Sequence, residues 1–452
     1  MRFILLTIIC MVSLNICCQL CPESLRDSGL SFFCPPRLAF AHRRETGYNF
    51  RMFSFLSRKG RAESIIVFDV NAESVGAAVV LVEKGALPRV IYTCREYFFH
   101  GKTARYDARR LIDSMRATLS RTKDFLAKNI LSHPIFRSHP PRKTHYAFSA
   151  PWVESAMKTI TLAWKEPTAV TAKIITALIE KESKAFAAEL STKPGAPFSI
   201  IEVSITSIRL NGYEVREPYG KKAKNIDVSL CMSALPAEIR DAVSSATPNK
   251  AIPWENTYAS FSSAAAKVVR DIGTEKDFVV LDILGPMTEA AIVRRGALSA
   301  RITMPLGENM LLDAVAKQFS VSRGEAASHV SMFFAGHADG KTGTILSKIV
   351  AEAKLEWKKS FEDAVNALAA KISVPPSLFI IVRSDDAPFF MRTLAGESVM
   401  EFGVDRVPFR QTLVAPGFLK SALAVDKNAS NDSALLLLSA YFASSSGLPG
   451  KK

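Results

Sequence analysis

The chain has 452 residues, 48% of them hydrophobic and 22% charged, with no long low-complexity tract. These proportions exclude a disordered or fibrous protein and predict a large core divided between two lobes. The formal charge of +15 suits an anionic partner such as a nucleotide, a nucleic acid or the inner membrane face, or is simply the basic character common among bacterial proteins. The lack of zinc-type Cys/His spacing and of interleaved aromatic and basic residues speaks against the common nucleic-acid modules.

The chain opens on MRFILLTIICMVSLNICCQLC, a basic start followed by an apolar run of signal-peptide length. Two readings follow. Either the segment exports or tethers the protein, or translation starts at Met52, where MFSFLSRKGRAESIIVFDV gives a short basic lead into a first strand. We favour the second. Residues 1–51 carry six Lys/Arg and three Asp/Glu, so their removal lowers the charge from +15 to +12. Cys10, Cys17, Cys18, Cys21 and Cys34 crowd this leader, whereas Cys94 and Cys231 stand alone. The body therefore has no disulfide framework and reads as a reduced, cytoplasmic protein.

From residue 65, IIVFDVNAESVGAAVVLVEKGALPRVIYT reads as strand, polar turn, strand, Gly turn, strand. A helix follows over 106–130, with Leu111, Ile112, Met115 and Leu119 at helical spacing. His133, His139 and His145 are six apart in a Pro-broken basic loop, a spacing that suits no helix face, and are expected in solvent. A strand is expected at 144–152. The next helix, 170–190, turns Ile175, Leu178 and Ile179 inward. Strands at 198–210 and 225–235 flank an Asn211-Gly212 hairpin signal. Lys221, Lys222 and Lys224 fall in the loop between, either solvated or touching a partner or lipid headgroups. Helices are expected at 258–272, 307–319 and 345–372, with a core strand at 377–384. The apolar run at 433–446 is shorter than the roughly 18–20 residues of a membrane span, and reads as a buried last helix.

The first meander has a second copy in FVVLDILGPMTEAAIVRRGALSARITMPL, residues 278–306. Asp69 aligns with Asp282, each after four apolar residues. Ala77-Ala78-Val79-Val80 aligns with Ala290-Ala291-Ile292-Val293, and Gly85-Ala86-Leu87 with Gly296-Ala297-Leu298 after a two-residue slip. An Asp ending a buried strand can face a hydrated Mg²⁺, and the tight turn after it can aim backbone N–H groups at phosphate. Hydroxyls such as Ser74 and Thr288 can add hydrogen bonds. Two facing copies would grip a nucleotide from both sides.

At these residues the chain resembles the actin-like ATPase superfamily, and within it the FtsA/PilM group. Asp69-Val70-Asn71-Ala72-Glu73-Ser74-Val75 is similar to the family's first phosphate loop. Asp282-Ile283-Leu284-Gly285-Pro286-Met287-Thr288-Glu289 is similar to its second. Pro305-Leu306-Gly307-Glu308-Asn309 resembles its helix-opening motif, and residues 207–230 resemble the small inserted subdomain of FtsA and PilM. The resemblance covers about residues 62–450. It implies an α/β, actin-like (ribonuclease H-like), two-lobed fold with a small inserted α+β subdomain. The expected divisions are a leader or mis-assigned start at 1–51, a first lobe at 62–155, the insertion at 156–240 and a second lobe at 241–450. It further implies ATP and Mg²⁺ as cofactors, held by Asp69, Asn71, Ser74, Asp282, Gly285, Thr288, Gly307 and Ser384, with Asp69 and Asp282 as metal ligands.

The departures from the family pattern share one direction. Asn71 and Leu284 stand where the family has glycine, which gives positive φ and close backbone approach. Asn71 is the milder change, because Asn tolerates left-handed geometry. Glu73 brings a negative charge to the phosphate loop. The adenosine-side turn is Ser384-Asp385-Asp386, and Ala326-Ala327-Ser328-His329-Val330 lacks the polar residues of the ribose element. The expectation is a cytoplasmic scaffold at the inner membrane face, similar to PilM or FtsA, with weakened nucleotide hydrolysis. It would recruit a membrane-associated assembly protein or its cytoplasmic peptide, in pilus assembly or cell division, and would self-associate. It would bind no nucleic acid. The alternative is a working actin-fold ATPase or small-molecule kinase, whose base would come from Asp69, Asp282 or Glu289.

Overall fold

The computed structural model describes residues 62–98, 108–193, 197–245, 256–370, 372–395, 398–401 and 405–445. The expectations for the leader, for Met52 and for the five N-terminal cysteines lie outside these residues. In the described body Cys94 and Cys231 are free.

The chain starts with the meander read from the sequence: β1 Glu63–Val70, β2 Ser74–Val82 and β3 Arg89–Tyr97. Its residues alternate between two cores. Ile65 and Val67 face one, Ile66 and Phe68 the other, as the twofold period of a strand buried on both faces requires. Helix α1, Ala108–Ser132, covers one face with Met115 and Leu119. A short α2, Ile135–Ser138, then leads into β4, Pro141–Phe148, parallel to β1.

His145 corrects the sequence reading. It lies on β4, 1% exposed, not in a solvated loop. Its ring stacks on Phe442 at 4.6 Å, and its Nδ1 bonds the hydroxyl of Thr257. The strand begins three residues earlier than expected, so the threefold His spacing had no common origin.

The inserted part follows: β5 Glu154–Ala169, α3 Ala172–Ser191, β6 Phe198–Leu210, β7 Tyr213–Glu214 and β8 Lys222–Pro236. Its strands form one antiparallel sheet in the order β5-β8-β6-β7. Ile175, Ile179, Phe186 and Leu190 of α3 are buried. The Asn211-Gly212 turn joins β6 to β7 with φ values of 50° and 86° at its two residues, the paired positive φ that such a hairpin needs. Lys222 and Lys224 stand on β8 rather than in a loop.

The chain then returns to the first sheet. Helix α4, Ala237–Ser245, packs beside α1, and β9, Asn256–Ser260, pairs with β4. Tyr258–Ser260 are therefore strand, and α5 begins later than expected, at Phe261–Ile272. The second meander is β10 Phe278–Ile283, β11 Thr288–Arg294 and β12 Ala297–Met304. Three helices cover its outer face: α6 Asn309–Phe319, α7 Arg323–Phe334 and α8 Gly340–Ala369. Next come β13 Ser377–Ile381, α9 Ala387–Leu394, β14 Ser398–Glu401, β15 Asp405–Pro408 and β16 Arg410–Leu413. The last elements are α10 Pro416–Leu419, β17 Ala424–Val425 and α11 Ser433–Ser445.

The two main sheets repeat one topology. The first runs β17-β3-β2-β1-β4-β9 and the second β12-β11-β10-β13-β16. In each, an antiparallel meander is extended by parallel strands beside its first strand. The duplication read from the sequence is thus a duplication of fold. Helices α5 and α11 share one core with the facing surfaces of both sheets. Leu435, Leu436, Leu437 and Leu438 are all 0% exposed, because a helix that is apolar all round has no face for water. Among the described residues, no helix is long and apolar enough to cross a membrane.

Candidate functional site

The two meander turns meet at one cleft of about 390 Å³. Asn71, Ser74, Asp282 and Ser384 line it, together with Arg95 and Arg383. Asp69, Gly285, Thr288 and Gly307 are not among its lining residues.

In the first turn Asn71 is not in the left-handed region, and neither is Leu284 in the second. Asn71 acts through its side chain instead. Its Oδ1 accepts from the backbone N–H of Glu73 at 3.1 Å, the N–H of Ser74 at 2.8 Å and the hydroxyl of Ser74 at 3.0 Å. This is an Asx turn. The amides that could cradle a phosphate already hold an oxygen from their own loop. Leu284 packs with Ala72, Ala150 and Met287 in a small apolar plug between the turns.

Asp69 is 1% exposed. Arg95 donates to its Oδ2 at 2.8 Å, and Arg95 also donates to Ser74 Oγ at 2.8 Å and to Asp432 Oδ2 at 2.6 Å. Gly76 makes room for this arginine across the β2–β3 ladder, since a Cβ there would lie 2.8 Å from Nη2. Burial raises the Asp69 pKa against the opposing pull of Arg95. Asp282 is 5% exposed and accepts from Ser149 Oγ at 3.3 Å. Burial, then the nearby Glu289 and Asp69, push it well above the usual carboxylate range.

These residues do not fit a resident divalent cation. Arg95 occupies Oδ2 of Asp69, and Asp282 is 5% exposed and already hydrogen-bonded to Ser149, whereas Mg²⁺ is usually held through one or two carboxylates together with several waters. Among the described residues no three His, Cys, Asp or Glu side chains are grouped to hold a metal.

The second turn is closed by the chain itself. Glu73 crosses from the first turn, and its Oε1 accepts from Gly285 N at 3.0 Å. Its Oε2 accepts from Asn309 Nδ2 at 3.0 Å. The first amides of α6 are engaged as well: Glu308 N donates to Leu284 O at 2.9 Å and Asn309 N to Gly285 O at 2.8 Å. Gly307 allows that approach, because a Cβ there would lie 1.9 Å from Leu284 O. Thr288 is 0% exposed and donates to Leu306 O at 2.8 Å, so its hydroxyl serves the strand–helix junction and not the cleft.

On the far wall Arg383 pairs with Glu308 at 2.6 Å and with Asp386 at 2.7 Å. Ser384 and Asp385 are exposed beside it. Ala326 and Val330, in the stretch aligned with the ribose element, are buried core residues of α7. Glu289 pairs with Arg301 at 3.2 Å and is 2% exposed. Both arginines of the cleft are thus neutralised by carboxylates, and the cleft offers little free positive charge to a polyphosphate.

A search of solved structures finds the PilM–PilN type IV pilus biogenesis complex at 13% identity and a TM-score of 0.53, over 85% of this chain and 98% of that one. The chain has the actin-like ATPase fold. Weaker superpositions include the ethanolamine utilization protein EutJ from Carboxydothermus hydrogenoformans, at 11% identity and TM-score 0.36, covering 84% of this chain and 89% of that one. A protein with an actin-like ATPase fold from Bacteroides thetaiotaomicron matches at 9% identity and TM-score 0.32, over 83% and 95% of the two chains. No protein-family profile matches the chain, and no curated protein matches it.

Sequence reasoning missed three parts of this site. Arg95, Asp432 and Arg383 stand outside the sequence motifs, and Glu73 reads from the sequence only as an added negative charge. One signal was available for Arg95: a glycine inside the apolar run of β2 marks a strand neighbour that needs space.

Proposed function

We propose that the protein is a cytoplasmic actin-like scaffold that recruits a membrane-associated assembly protein, or that protein's cytoplasmic peptide, at the inner membrane face. The likeness to PilM favours a pilus-type assembly over a division ring. Self-association is part of this reading. The cleft is not a working ATPase site. The observation that carries this last point is the ion pair of Arg95 with Asp69 at 2.8 Å. A nucleotide-bound Mg²⁺ would have to displace a guanidinium held by two carboxylates and a hydroxyl. ATP and Mg²⁺ therefore bind weakly, and turnover is lost with them.

The test is phosphate release from Mg·ATP by the full chain beside its Asp282→Ala variant. The reading expects the same background rate from both. A rate well above background that falls in the variant would establish an active ATPase.

A further inference from the structure

We propose that Gly285 N–H and Asn309 Nδ2 form a carboxylate-binding site on the second lobe, and that its resident ligand is Glu73 of the first. The proposal deepens the scaffold reading above and rests on it: an idle cleft can keep its own anion in place.

The two oxygens of Glu73 have one donor each from the second lobe, both at 3.0 Å. These partners lie 212 and 236 positions along the chain, so the contact joins the lobes rather than tightening a local turn. Glu73 is 9% exposed. Its backbone is fixed from both sides, with its N–H on Asn71 Oδ1 at 3.1 Å and its C=O accepting from Phe98 N at 2.6 Å. The carboxylate is therefore delivered by a rigid turn. The receiving side is shaped to it as well. A Cβ on Gly285 would lie 1.7 Å from Glu73 Oε2, so only glycine admits the carboxylate.

A backbone N–H and a side-chain amide, set beside the first turn of α6, recognise an oxyanion by geometry and not by its central atom. Carboxylate and phosphate oxygens present the same acceptors. Glu73 thus fills in cis the position where the resemblance expected a phosphate. The acidic residue that looked out of place in a phosphate loop is the ligand of the loop opposite. Without it, the second lobe would hold an open oxyanion receptor, and the lobes would lose this bridge.

The experiment is hydrogen exchange resolved to single amides on the full chain, with inorganic phosphate as the probe at constant ionic strength. In wild type the Gly285 amide is slow, and phosphate leaves it unchanged. In Glu73→Ser it exchanges at least tenfold faster, and phosphate slows it again. Glu73→Gln keeps an acceptor for Gly285 but sets an NH2 toward Asn309, so its Gly285 amide exchanges at a rate between those of wild type and Glu73→Ser. Asn309→Ala leaves Glu73 with one donor and speeds Gly285 several-fold, which gives a reading even if Glu73→Ser fails to fold. A Gly285 amide with the same rate in wild type and in both Glu73→Ser and Asn309→Ala would overturn the proposal, as would phosphate slowing wild type as much as Glu73→Ser. The scaffold reading fails separately, by ATP turnover in the unaltered protein.

Discussion

Arg95 and Asp432, 337 positions apart, form an ion pair with 2.6 Å between Nε and Oδ2. The same guanidinium reaches Asp69 and Ser74, so one side chain ties β1, β2 and the start of α11 together. Burial opposes the charge on Asp432, yet Arg95 and two backbone amides hold its pKa below the usual carboxylate value. Replacing Arg95 by Ala leaves the buried Asp69 and the half-buried Asp432 without their counter-charge. Such a change costs about 3–5 kcal/mol. Urea denaturation of Arg95→Ala should show a loss of this size, and a loss below about 1 kcal/mol would contradict the role given to the pair.

Two glycines make a matched contrast. Gly307 sits where a Cβ would be 1.9 Å from Leu284 O, and Gly417 has nothing within 4 Å. Gly307→Ala must push the second turn away from α6, and should cost about 3 kcal/mol. Gly417→Ala should stay within about 0.5 kcal/mol of wild type. Denaturation midpoints of the two variants check the pair.

Lys123 gives a pH signature. It is 6% exposed, donates to Val243 O at 2.9 Å and lies over the Tyr146 ring. Burial lowers its pKa from 10.5 to about 8. Between those two values the unfolded chain binds the proton and the folded one does not. Stability therefore rises with pH from about 8 to 10.5, by about 3 kcal/mol in all, and Lys123 adds no slope below pH 8. Lys123→Met removes this component. The difference in unfolding free energy between wild type and Lys123→Met should shift toward wild type across that window, and a difference independent of pH would refute the assignment.

The last helix tests the shared core. Leu437 is 0% exposed among residues from both main sheets. Leu437→Ala should cost about 2–5 kcal/mol, with the value set by how far the cavity collapses. Thermal unfolding followed by circular dichroism gives the comparison.

What the sequence made legible was mainly local. The two meanders showed because a strand buried on both faces is a continuous apolar run, and each run ended in an Asp followed by a turn. The hairpin at Asn211-Gly212 showed because two positive φ angles restrict the residues that can sit there. α11 showed as an apolar run too short for a bilayer. The misses came from distance. Tyr258–Ser260 became strand through pairing with β4, a partner more than a hundred positions away. His145 is buried because Phe442 comes to lie against it. Glu73 looked unfavourable beside an imagined phosphate, since neither Gly285 nor Asn309 is near it in sequence. Asn71 was expected to substitute for glycine by its backbone, and instead fills the turn with its side-chain oxygen.

The central claim is that the turn amides and arginines of this actin-like cleft are already engaged by the protein's own side chains. Calorimetric titration of Mg·ATP into the full chain, with Asp282→Ala as control, addresses it most directly. The account predicts no micromolar binding in either protein, and at most weak heats near millimolar nucleotide that are the same in both. Micromolar binding that disappears in Asp282→Ala would contradict it, and would make the cleft a nucleotide site.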